Sequence, residues 1–266
     1  MRKILSSLAL IALTAALAPA EVLYSSIPNA LPPNVPSVGY EATSTAEFGG
    51  LIQFAGSGGS YSALRATVVM SNWALASDYD STLAGYKQLL TLTIYNVGPG
   101  DTVGTKIASD TVDAFIPWRP AASAGCGTAW RAADGQCYNG LATEVTFDLP
   151  NVTVPGQVIY GLSFDTTNYG ANPTGTPGPY DSLNFGLAET SPKVGSNPLP
   201  DTAYWNTTHA GFYTDNGAGG VGTFRQDTNW APDSGALEFD TPEPATLTLL
   251  GAGLIGLAFF RRRGRA

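Results

Sequence analysis

The stretch Val158-Ile159-Tyr160-Gly161-Leu162-Ser163-Phe164 puts a large apolar side chain at every second position. A helix would scatter those side chains around its circumference, whereas a strand sends successive side chains to opposite faces and gathers them on one. The same period of two recurs in Leu64-x-Ala66-x-Val68-x-Met70, Leu90-x-Leu92-x-Ile94, Val145-x-Phe147-x-Leu149, Leu183-x-Phe185-x-Leu187 and Leu237-x-Phe239. Each run offers one face to a core and the other to water. Turn clusters such as Gly98-Pro99-Gly100-Asp101 separate the runs, and no segment between the chain ends sustains a helical apolar period. The pattern predicts an all-β fold, an antiparallel β-sandwich of jelly-roll type with about eight to eleven strands. Its length suits one domain over residues 21–240, with one core.

Three segments fall outside the pattern. Residues 22–37 hold four prolines and should lie on an edge. Residues 165–181 read as a long polar loop carrying Tyr169 and Tyr180. Residues 190–234 mix Trp205, His209, Tyr213 and Trp230 with a glycine-rich turn at 217–222, and read as irregular. Gly56-Ser57-Gly58-Gly59 has no following Lys-Ser, so it reads as a turn and not as a phosphate loop.

Both ends of the chain carry transport information. Arg2 and Lys3 precede an apolar run from Ile4 to Leu17, and Ala18-Pro19-Ala20 has the small-x-small spacing cut by signal peptidase. Residues 1–20 are therefore expected to be a cleaved signal peptide, and no cysteine stands near the cut to take a lipid. At the other end, residues 241–266 run through Pro242-Glu243-Pro244, sixteen uncharged residues from Ala245 to Phe260, and the cluster Arg261, Arg262, Arg263 and Arg265. Sixteen residues at about 1.5 Å per residue make a helix of about 24 Å, slightly short of a membrane core of about 30 Å. Snorkelling arginines make up the difference, and basic residues stay on the cytoplasmic side, which leaves the body outside. Pro242 and Pro244 keep the triplet extended, the conformation a protease binds.

In triplet, apolar run and terminal arginines, this tail resembles the PEP-CTERM sorting signal of Gram-negative bacteria. The resemblance covers residues 241–266 only. It implies an exosortase, an intramembrane transpeptidase-like enzyme that removes the helix during export. It also implies a membrane-anchored precursor with its body in the periplasm, then delivery to the cell surface or the extracellular matrix. Proteins with such tails are associated with exopolysaccharide producers, which makes exopolysaccharide a further expected partner.

Charge narrows the remaining partners. Between Glu21 and Glu243 stand seven basic side chains against all 21 acidic ones, a net charge of −14. Such a surface repels phosphate backbones, so no nucleic-acid partner is expected. Cys126 and Cys137 are the only cysteines and would reach an oxidising compartment, so they are expected to pair around a Gly- and Ala-rich loop.

Chemistry-bearing residues are sparse. His209 is the only histidine, and no Gly-x-Ser-x-Gly elbow accompanies it, so no catalytic residues are expected. Acidic pairs are too many for a two-carboxylate glycosidase to single one out, which leaves glycan hydrolysis a distant alternative. No cofactor is expected, with calcium the one metal worth carrying, on Asp78, Asp80, Asp165 and Asp181. Among the tryptophans, Trp73 is expected in the core. Tyr169, Tyr180, Trp205 and Trp230 form the candidate carbohydrate platform. The expected role is structural or adhesive, with a lectin-like, carbohydrate-binding module as the alternative.

Overall fold

A computed structural model describes residues 21–188, 191–230 and 234–241. The expected signal peptide, Pro242, Glu243, Pro244, the apolar run and the arginines lie outside them. Among the described residues, no helix is long and apolar enough to cross a membrane. By contacts the chain divides into a body, Val22–Asp240, and a unit made of the two chain ends. In that second unit Glu21 N donates to Thr241 Oγ1 at 3.1 Å.

Thirteen strands are described: β1 (Glu21–Ser25), β2 (Ser37–Gly39), β3 (Thr45–Asn72), β4 (Gly85–Val97), β5 (Val103–Pro117), β6 (Trp130–Arg131), β7 (Cys137–Tyr138), β8 (Leu141–Ser163), β9 (Leu183–Ala188), β10 (Thr202–Thr207), β11 (Arg225–Thr228), β12 (Ser234–Gly235) and β13 (Leu237–Thr241). Eleven join one sheet whose spine runs β1-β13-β3-β8-β4-β5, and β6 pairs only with β7. The strand pairings described are all antiparallel. The all-β, antiparallel class expected from the alternation is the class observed, as one curled sheet.

The curl comes from β3 and β8, which pair along nearly their whole lengths as a two-stranded ribbon. Near its middle the register slips between Gln53 and Gly58. Gly58 has φ +79°, and a Cβ there would come within 2.3 Å of the Pro155 backbone, so the two strands can cross this point only with glycine. The glycine-rich 56–59 stretch is thus a bend inside a strand and not the turn expected. Extended residues on both sides let the hydrogen-bond ladder continue through it.

Beyond the bend the two halves of the ribbon face a common core. Phe48, in the first half of β3, meets Phe185 edge-on at 6.2 Å, and Phe185 is paired with Met70 in the second half. Every apolar residue in the six alternating runs is buried, and the flanking positions in β8, Glu144, Thr146 and Asp148, are exposed. A second, smaller cluster of Leu51, Ile159 and Tyr204 covers the opposite face of the first half.

Residues 190–234 are less irregular than expected, since they contain β10 and β11. β10 pairs with the start of β3, Trp205 standing opposite Phe48.

Candidate functional site

One end of the sheet collects the long connections. Asn72 closes β3 opposite Leu141 at the start of β8 and Leu183 at the start of β9. Gly85 opens β4 opposite Pro117, where β5 ends. Segments 73–84, 118–140 and 164–182 therefore leave or enter the sheet on the same side. Asn72, itself fully buried, links the first of these segments to β4 and to the end of β5. Its Nδ2 donates to Pro117 O at 2.7 Å, and its Oδ1 accepts from Ala74 N at 3.1 Å and from the Tyr86 hydroxyl at 3.1 Å.

Aromatic rings pack over this hub. Tyr79 ends the 3-10 turn that contains Asp78, and its ring lies nearly parallel to Trp118 at 5.8 Å. Tyr86 leans on the same indole at 4.9 Å, and Trp118 Nε1 donates to Leu83 O at 3.0 Å. The Tyr79 hydroxyl donates to Gly178 O at 2.9 Å, joining the turn to the polar loop. Burial raises the Tyr79 phenol above its ordinary pKa, and the carboxylates of Asp181 and Asp78 add to the shift. Trp73 is 42% exposed, correcting the expected core assignment. Asn72 takes the last inward position of β3, so Trp73 turns outward, where Arg119 Nε donates to its carbonyl at 2.8 Å.

The polar loop 165–181 is held by its own side chains. Asp181 accepts Thr167 N at 2.8 Å, Thr167 Oγ1 at 2.6 Å and Gly178 N at 3.1 Å. Asp165 accepts Asn172 N at 2.8 Å, Thr166 bonds the Tyr169 backbone, and Tyr180 donates to Thr176 O. Glu41 receives both the backbone and side-chain nitrogens of Asn168. Tyr169 and Tyr180 are each half-buried.

Of the expected sugar platform, Trp205 does not qualify. It is 2% exposed, donates its Nε1 to Thr45 Oγ1 at 2.7 Å, and meets Trp230 edge-on at 5.1 Å. Trp230 packs on Phe48 at 5.4 Å and donates to Asp227 Oδ2 at 2.8 Å. Both indoles serve the core. The aromatic residues at the loop end are Trp73, Tyr79, Tyr86, Trp118, Tyr169 and Tyr180, of which Tyr169 and Tyr180 belong to the expected platform. The signal for Tyr79 was weak but present, a tyrosine flanked by Asp78 and Asp80 in a segment with no alternation.

The remaining candidates separate. Asp78 and Asp80 lie on the exposed 3-10 turn, while Asp165 and Asp181 stand at opposite ends of the loop, occupied as described. Among the described residues, no group of three or more His, Cys, Asp or Glu side chains is placed to hold a metal ion. His209 is exposed, its ring 4.7 Å from Phe212. Cys126 and Cys137 form a disulfide, Cα to Cα 5.6 Å, and it closes the segment that carries β6 and β7.

Fold and site together define an all-β body whose loops gather aromatic and carboxylate groups at one end. The tail carries the PEP-CTERM protein-sorting motif, whose family model matches residues 240–263. That motif implies recognition by an exosortase, export and processing at a membrane. No curated protein and no solved structure matches the chain.

Proposed function

We propose that the chain is a non-catalytic structural or adhesive protein, freed by signal peptidase, anchored through its C-terminal helix and passed by an exosortase to the cell surface or extracellular matrix. The observation that carries the adhesive part is the direction of β13. It runs from Leu237, opposite Val68, to Asp240, opposite Arg65, and so away from the Asn72 end. The body's last strand thus ends running away from the side of the sheet that carries Trp73, Tyr79 and Trp118. A protein held by its tail would present those rings outward. On this reading the curled sheet is a jelly-roll-like sandwich used as a rigid spacer.

The exposed rings of Trp73 and Tyr79 favour a second reading, carbohydrate binding, because aromatic faces stack on the apolar faces of sugars while nearby carboxylates accept hydrogen bonds from sugar hydroxyls. Calcium is not needed in either reading. Replacing Pro242-Glu243-Pro244 by alanines tests the sorting step: accumulation of the uncut, cell-associated precursor is expected, and unchanged processing and release would reduce the tail to an anchor.

A further inference from the structure

A groove of about 230 Å³ opens on the outer face of β4, β5 and β8, away from the core and beside the pinned loop. We propose that it binds one ring of a neutral polysaccharide, which gives the adhesive reading above, on which this inference rests, a partner of stated chemistry.

The lining is suited to a sugar. Leu89 forms an apolar wall and is 61% exposed, an unusual position for a leucine in the middle of a strand. Phe115, 51% exposed, is its diagonal neighbour across the β4–β5 pair, since Leu89 stands opposite Asp113 and Lys87 opposite Phe115. The polar side consists of the Thr91, Thr111 and Ser163 hydroxyls, the Asp165 carboxylate and the Asn172 amide. Thr91 and Thr111 bond each other at 2.8 Å, and each hydroxyl oxygen retains further lone-pair capacity for a ligand. Asp165 uses one oxygen on Asn172 N, which leaves the second for a sugar hydroxyl. An apolar wall facing convergent donors and acceptors matches a pyranose, which has an apolar ring face and an equatorial belt of hydroxyls.

Size and charge select the class. Pockets for drug-sized ligands run to about 300–1,000 Å³, so this groove takes about one ring of a chain. Asp165 in the groove and the net charge of −14 over residues 21–243 disfavour an anionic chain. The loop wall is already fixed by Asp181, Asp165 and Glu41, so binding need not order it. One ring in an open groove gives weak affinity, with a Kd on the order of 1 mM, and many copies at a surface would supply avidity.

The test uses the exported protein purified from producing cells, titrated with glucose-, mannose- and galactose-based hexasaccharides and with polygalacturonate as the anionic control. Saturable binding of at least one neutral hexasaccharide is expected. Leu89→Asp and Asn172→Ala should each weaken it about tenfold, since both side chains are exposed and the fold does not depend on them. Tyr79→Ala should leave it unchanged. No saturable binding by any of the three neutral probes overturns the proposal, as does equal or tighter binding of polygalacturonate. Loss of binding with Tyr79→Ala but not with the groove variants would overturn the groove while leaving carbohydrate binding at the aromatic end in place.

Discussion

Glu47 stands on β3 with its carboxylate over Gly161, where an added Cβ would lie 2.1 Å from Oε1, and Tyr95 donates to that oxygen at 2.9 Å. Burial dominates the Tyr95 hydrogen bond and lifts the carboxyl to about 7. Its cross-strand neighbour Asn206 has a buried Oδ1 with no hydrogen-bond partner among the described residues. Between the ordinary carboxylate range and pH 7 the folded state therefore binds more protons than the unfolded one, so stability falls as pH rises through that window. The loss should be on the order of 2 kcal/mol between pH 5 and pH 8. Denaturant unfolding of wild type and Glu47→Gln at both values checks it, because the glutamine variant should lose this part of the pH slope. Equal slopes would mean that Glu47 ionises freely. Residues of this kind are hidden in a sequence, since nothing around Glu47 announces that a glycine on a strand more than a hundred residues away makes room for it. The tryptophans were misread for the same reason. Whether Trp205 or Trp73 faces the core depends on the strand phase at that residue, and aromatic content alone does not supply the phase.

Strands were legible where one face is buried and the other wet. All six alternating runs became strand segments with their apolar members inside. Their continuity was not legible, because the run at 145–149 and the run at 158–163 belong to one strand, β8, and between them exposed Pro150, Asn151, Pro155 and Gln157 interrupt the alternation around buried Val152 and Val154. β10 escaped for a related reason. In Thr-Ala-Tyr-Trp-Asn-Thr, Ala203 and Trp205 face the main core while Tyr204 enters the cluster with Leu51 and Ile159, so both faces are apolar and the period of two disappears. The disulfide segment is a separate case, because β6 and β7 pair only with each other. Its bond should hold that segment locally, with little effect on the main sheet. A Cys126→Ser, Cys137→Ser double variant is expected to lose about 2–3 kcal/mol of local stability. Hydrogen exchange should then accelerate over 118–140, with β3 and β8 amides unchanged. Equal acceleration in β8 would show that the loop is part of the cooperative core.

At the scale of the molecule, the adhesive reading makes a geometric claim about which end is displayed. Leu83 is highly exposed in segment 73–84 at the loop end. Pro99 sits in the exposed turn after Val97, where β4 ends, at the opposite end of that strand from Gly85. Both native cysteines are bonded to each other, so a single introduced cysteine is the only thiol that can react. Protein delivered to the surface of intact cells and carrying Leu83→Cys should label quickly with a membrane-impermeant maleimide. The Pro99→Cys protein should label several-fold more slowly, because its cysteine lies toward the end at which β13 stops. After both proteins are released from the cells the two rates should converge, which separates shielding by attachment from any difference in intrinsic reactivity. Equal labelling on cells would show that the body is not held by one end, and the rings of Trp73, Tyr79 and Trp118 would then have no privileged orientation toward a partner. Slower labelling at Leu83 would place the aromatic end inward, against the matrix, and make it the point of attachment itself.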